Sequence, residues 1–252
     1  MANLSPNQRH ILGTFLLATE SERWGGKHWY LRANNIAKTC SQAHGVPFLA
    51  CVGVIAALSP NNKWARNVKD AQNLIALFSI GGREAAEKVS VCTYSKNKEK
   101  AIQILEETKQ PFRIHSTHDG QRHYGVGDDG KEYPAEMVGW HAGLLDMLAI
   151  LKGPKVCEFA SCILAADWGT CSRQEWQAVS STVCIDGHAW SIWFGERRTM
   201  KDVPSITPKV RDVIIADYVA VSRYLCDIGE AFTPSEVQAV TWLAHRRLHN
   251  IR

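Results

Sequence analysis

Apolar residues recur at three- and four-residue intervals over almost the whole chain, and that spacing restricts it to a helical architecture. The stripes run over residues 5–19, 28–44, 46–58, 63–78 and 95–109, then over 141–151, 154–166, 174–179, 188–194, 208–228 and 234–250. Gly25-Gly26, Gly45 and Gly81-Gly82 read as turns between the early stripes, so five helices are expected in the first 110 residues. Thr207-Pro208 and Thr233-Pro234 each place a hydroxyl N-cap before a proline at the first helical position. Only residues 111–134 depart from this periodicity. There Arg122-His123-Tyr124-Gly125-Val126 and Lys131-Glu132-Tyr133 flank Gly127-Asp128-Asp129-Gly130, the pattern of a β-hairpin inserted as a ribbon in a helical body. With no internal repeat and no low-complexity linker, residues 1–252 are expected to form a single, mostly α domain, with two lobes as the alternative.

Composition removes several function classes. A chain of 252 residues that is 45% hydrophobic can build a real core, which excludes a disordered tail, a coiled coil and a disulfide-stapled miniprotein. No window approaches the roughly 20 apolar residues of a membrane span, so no membrane partner is expected. Met1-Ala2-Asn3-Leu4-Ser5-Pro6 lacks the layout of a signal peptide, and an intracellular, unsecreted monomer in the cytoplasm, nucleoid or nucleus is expected. The eight cysteines contain no Cys-x-x-Cys pair and mostly lie in apolar runs, as packing thiols of a reducing compartment do. His115, His118, Asp119 and His123 fit no standard metal spacing, so no metal is expected. A net charge of +4 permits nucleic-acid binding through a local patch without requiring it.

Four short segments carry chemistry. In Leu151-Lys152-Gly153-Pro154-Lys155-Val156-Cys157 one helix ends, a Gly-Pro hairpin intervenes, and a second helix starts with a lysine in its first turn. Backbone N–H groups at such a helix start suit a phosphodiester. The positive helix end, with partial burial, would favour the neutral, nucleophilic amine of Lys155. Alone, the segment also reads as a plain helix–helix turn. In Val183-Cys184-Ile185-Asp186-Gly187-His188, an apolar run leads Asp186 to the start of the next helix, where it is either an N-cap or a site carboxylate. A positioned amine and a partly buried carboxylate together suit N-glycosidic bond cleavage. Gln238 and Trp242, four apart, share one helix face and can present an amide edge beside a π surface, as a flipped base requires.

In their order along the chain these segments resemble the helix-hairpin-helix DNA glycosylase superfamily, and the 8-oxoguanine DNA glycosylases within it. Gly153-Pro154-Lys155-Val156 resembles that family's hairpin exit, whose lysine is the Schiff-base nucleophile. Ile185-Asp186-Gly187-His188-Ala189-Trp190-Ser191-Ile192 is similar to the segment with its catalytic aspartate. Ser59-Pro60-Asn61-Asn62-Lys63-Trp64-Ala65-Arg66 resembles the stretch whose first asparagine fills the hole left by the extruded base and whose arginine contacts the orphaned partner. Gln238-Ala239-Val240-Thr241-Trp242 is similar to the element whose glutamine reads the base edge and whose aromatic ring stacks on it. Departures are present too. The hairpin has one glycine where the family usually has two, no N-terminal β domain is evident, and the four-cysteine iron–sulfur motif of some relatives is missing.

The resemblance implies a helix-hairpin-helix glycosylase fold and a DNA glycosylase/AP lyase that acts on duplex DNA containing a modified base, an oxidised purine first, with no cofactor. Lys155 and Asp186 are the expected catalytic pair, and Gln238 and Trp242 the base-recognition pair. Asn61, Asn62, Arg66, Gly153, Pro154, His188 and Lys96 are the expected DNA contacts. Phage proteins on similar folds are linked to thymine hypermodification, so amino-acid transfer onto a modified base is a second expectation. An inert DNA-binding module is a third.

Overall fold

The computed structural model describes residues 4–108, 114–116, 123–126, 132–134, 147–167, 180–199 and 201–251. It is mostly helical. Helices α1 (Pro6–Leu16), α2 (Glu20–Lys27), α3 (Trp29–His44), α4 (Phe48–Ala57), α5 (Trp64–Glu87) and α6 (Ser95–Glu107) are followed by strands β1 (Ile114–Ser116), β2 (His123–Val126) and β3 (Glu132–Pro134). Helices α7 (Pro154–Ala165), α8 (Gly187–Phe194), α9 (Pro208–Asp227) and α10 (Pro234–Leu248) complete the described chain. The strands pair antiparallel in the order β1-β2-β3, with Tyr124 opposite Pro134 and Gly125 opposite Tyr133. The helix expected at 174–179, residues 141–146 of another, and His118, Asp119 and Cys171 lie outside the described residues.

The chain divides into two compact units, residues 1–35 with 158–252, and residues 36–157. In the first unit the helix starts are chemically specified. Ser5 and Gln8, Thr19 and Glu22, and Thr233 and Glu236 each form a reciprocal capping box, and Thr207 caps α9 ahead of Pro208. Ile11, Phe15, Val183, Ile185, Trp190, Tyr218, Leu225, Val237 and Val240 fill the core between these helices. The Asp217 carboxylate on α9 accepts from Gln8 Nε2 of α1 and from Trp193 Nε1 of α8, each at 2.7 Å, which fixes α8.

The second unit is built around α4, in which Leu49 to Ala57 are all buried. A helix apolar on every side belongs inside a core, and at ten residues α4 is too short to be a span. No described helix is long and apolar enough to cross a membrane. A Cβ on Gly53 would lie 2.8 Å from Ile104 Cγ2 and 2.9 Å from Met147 Cγ, so the missing side chain lets α4 approach α6 and the helical turn at 147–151.

One glycine pair corrects the expected element count and another agrees with it. Gly25-Gly26 lies inside α2, giving six helices where five were expected. The Thr19–Glu22 capping box starts this helix, and a Cβ on Gly26 would stand 2.5 Å from the backbone nitrogen of Val240, so the glycine serves a close crossing with α10. Gly81-Gly82 is the expected break: both residues leave helical geometry, Gly82 at φ +59°, and a second helical stretch runs on from the kink to Glu87. The cysteines divide as well. Cys40, Cys51, Cys162 and Cys184 are buried, Cys157 is half-buried, and Cys92 and Cys226 are exposed, so packing does not account for the last two.

Candidate functional site

In the first unit, Asp186 is the N-cap of α8, and its Oδ1 accepts from the Ala189 backbone N–H at 2.9 Å. The residue is half-buried, and Oδ2 has no hydrogen bond among the described residues. The buried Ile185 beside it is clamped from both sides. Its N–H donates to Glu158 Oε2 at 2.9 Å, and its carbonyl accepts from Arg211 Nη1 at 3.0 Å. Arg211 Nη1 also donates to Glu158 Oε1 at 2.8 Å and to Oε2 at 2.6 Å. Burial pushes the Glu158 carboxyl up, against the opposing pull of the Ile185 N–H and Arg211. The clamp sets the backbone that presents Asp186.

Gln238 and Trp242 meet the first turn of α3. The amide of Gln238 is buried, and its Oε1 accepts from the Tyr30 hydroxyl at 2.8 Å. Burial, then Cys162, Cys184 and Asp186, drives the Tyr30 phenol well above its ordinary range, which keeps it a neutral donor. Trp242, half-buried, lies 5.4 Å from the Trp29 ring, 6.5 Å edge-on from His188, and under the Arg246 guanidinium at 4.5 Å. The shared helix face therefore exists, with the Gln238 carbonyl already engaged by the protein. His188 continues into His245, 5.7 Å away, and His245 into His249 at 4.4 Å. His245 is buried, and its Nε2 has no hydrogen-bond partner among the described residues. Burial, His249 and His188 push it down to about 4.

The second unit gathers the other candidates. Asn61 is exposed at φ +55°, and its Nδ2 donates to the Tyr94 hydroxyl at 2.7 Å. The Lys96 ammonium lies 5.6 Å from the same Tyr94 ring. Asn62 Nδ2 donates to Asp70 Oδ2 at 3.1 Å, and Arg66 Nε to Asp70 Oδ1 at 2.7 Å. Asp70, fully buried, also accepts from the Cys92 N–H at 2.8 Å, so one carboxylate ties the loop after α4 to the segment leading into α6.

In the hairpin, Lys152 rather than a glycine takes the left-handed conformation, at φ +56°. The carbonyl of Gly153 accepts from Cys157 N at 2.9 Å and opens α7. Lys100 Nζ donates to the Leu151 carbonyl at 2.5 Å and anchors the preceding turn to α6. Pro154 and Lys155 form the first turn of α7, and Lys155 is exposed there, without the partial burial that would further favour its neutral amine. Lys155 belongs to the second unit, and Asp186, His188, Gln238 and Trp242 to the first.

A family model of a family of unknown function, DUF7178, matches residues 2–125 and 134–249. The chain belongs to DUF7178. No curated protein matches it, and no solved structure does. Among the described residues of this DUF7178 member, no group of three or more His, Cys, Asp or Glu side chains could hold a metal ion. Sequence reasoning passed over Tyr30, Asp70, Glu158, Arg211 and His245. Asp70 had a local cue, standing one helical turn after Arg66, whereas the partners of Tyr30 and Arg211 lie 208 and 53 residues away.

Proposed function

We propose that this DUF7178 chain is a DNA base-flipping enzyme that excises a modified base, an oxidised purine such as 8-oxoguanine, and then opens the abasic site as a lyase. Lys155 is the nucleophile. Its Nζ bonds to the sugar C1′ while the glycosidic C–N bond breaks, and the base leaves with that electron pair and takes up a proton. Opening of the sugar ring leaves a Schiff base, and loss of a C2′ proton expels the 3′ phosphate by β-elimination. Asp186 stabilises the positive charge that develops on the sugar and carries protons. Gln238 and Trp242 grip the base, Asn61 and Arg66 hold the opened duplex, and Asn62, Lys96, Gly153, Pro154 and His188 line the DNA.

The observation that carries this proposal is the state of Asp186. It is a half-buried carboxylate held by a cap and a clamped neighbour, with one oxygen that accepts no hydrogen bond among the described residues. A plain cap needs neither the half-buried Glu158–Arg211 pair nor the Tyr30–Gln238 pair packed in the same unit. The test is a panel of duplex oligonucleotides, each with one modified base. The expected result is base release and strand scission at an oxidised purine, lost in Lys155→Gln and in Asp186→Asn. An intact strand with mass added to the base would replace excision by transfer. Binding with no covalent change to any oligonucleotide would reduce the protein to a binding module.

A further inference from the structure

We infer that the first unit also carries a stacking site for unpaired nucleobases, built by Trp24, His28 and Arg32, whose ligand is single-stranded DNA. Trp24 on α2 is 60% exposed, an unusual position for the largest apolar side chain. The Arg32 guanidinium of α3 lies over its ring at 4.7 Å from the centroid. The His28 ring stands 4.7 Å away, with its Nδ1 at 2.8 Å from the Trp24 carbonyl. Arg32 therefore has a preset position beside an open π surface.

The patch does not end there. Trp29 and Arg32 are three apart on α3 and so are neighbours on its surface, and Trp29 packs on Trp242, which lies beneath the Arg246 guanidinium. Two ring–guanidinium pairs, Trp24 with Arg32 and Trp242 with Arg246, are thus linked through Trp29 on α3. Neither Arg32 nor Arg246 meets a carboxylate among the described residues, whereas Arg23 is paired with Glu230 and Arg247 with Glu22. Two unneutralised cations beside stacking surfaces complement a strand that offers one phosphate and one base at each step. Glu20, one turn before Trp24 on α2, is the opposing charge.

This site shares its DNA partner and, at its far end, Trp242 with the proposed excision, but it needs neither Lys155 nor Asp186, and the two fail separately. Binding of a fluorescein-labelled dT16 strand to the full-length protein is measured by anisotropy at low and moderate salt. The strand contains no modified base and no abasic site, so excision plays no part. Trp24→Ala is expected to weaken binding about tenfold, with Trp24→Phe within about threefold of wild type. Arg32→Gln is expected to weaken binding and flatten its salt dependence by about 0.7 in the log–log slope, and Glu20→Gln to tighten it. A sixteen-unit strand of tetrahydrofuran spacers, equal in phosphates but with no base and no C1′ aldehyde for a Schiff base, is expected to bind more weakly than dT16. Failure of the wild type to bind dT16, Trp24→Ala binding as wild type does, or equal affinity for the base-free strand would each overturn the inference.

Discussion

Asp186 serves as a cap and, under the proposed function, as an electrostatic group, and one substitution separates the two. Asparagine caps helices as well as aspartate, so Asp186→Asn is expected to unfold within about 0.5 kcal/mol of wild type while base release falls about a hundredfold or more. Asp186→Ala loses the Ala189 N–H bond as well and is expected to cost about 1 kcal/mol of stability. Thermal melts and single-turnover product release measure the two effects. His245 gives a second residue-scale prediction. Its folded value is pushed down to about 4, below the ordinary 6.5, so the proton binds the unfolded chain more tightly. The neutral-His stability is complete above pH 6.5 and is lost as pH falls from 6.5 towards 4, by about 3 kcal/mol in all. His249, His188 and Arg197 oppose its protonation and Asp186 favours it. Urea midpoints at pH 7, 5.5 and 4.5 are expected to fall less steeply for His245→Leu than for wild type. Parallel slopes would remove His245 from the acid response.

At the scale of elements, the helix starts were legible because their chemistry is local. Thr207-Pro208 and Thr233-Pro234 mark α9 and α10 where the structure has them. Glycines were less legible, because a glycine that frees a turn and one that admits a neighbouring helix look alike in sequence. Gly26 is the second kind, and Gly26→Ala is expected to cost about 2 kcal/mol, since its Cβ would meet the Val240 backbone, which cannot move aside, as well as the Val240 Cγ2. Gly153 contrasts with it. The nearest atom to a Cβ there is 3.9 Å away, and the positive φ belongs to Lys152, so Gly153→Ala is expected to cost under about 1 kcal/mol, as an N-cap change does. Denaturant midpoints of the two variants check the pair. The hairpin motif was read from its glycine, but the strained backbone is at the lysine before it.

At the scale of the molecule, periodicity revealed a mostly helical chain but not its division, because the first unit joins residues 1–35 to 158–252 through contacts that no local pattern encodes. The same limit hid the partners of the candidate residues. Gln238 and Trp242 were placed on one face by their spacing, yet the Tyr30 hydroxyl and Trp29 ring that they meet come from α3. Asn61, Asn62 and Arg66 were legible as a motif, while the buried Asp70 that orders Asn62 and Arg66 was not. The assignment of Lys155 rests on its place in the hairpin, and a covalent readout tests it without reference to stability. Borohydride reduction of the protein on duplex DNA with a single abasic site measures the Schiff base directly. A covalent protein–DNA adduct in the wild type, absent in a Lys155→Gln variant that still folds and binds DNA, is the predicted result; no adduct in the wild type, or an undiminished adduct in Lys155→Gln, would contradict it.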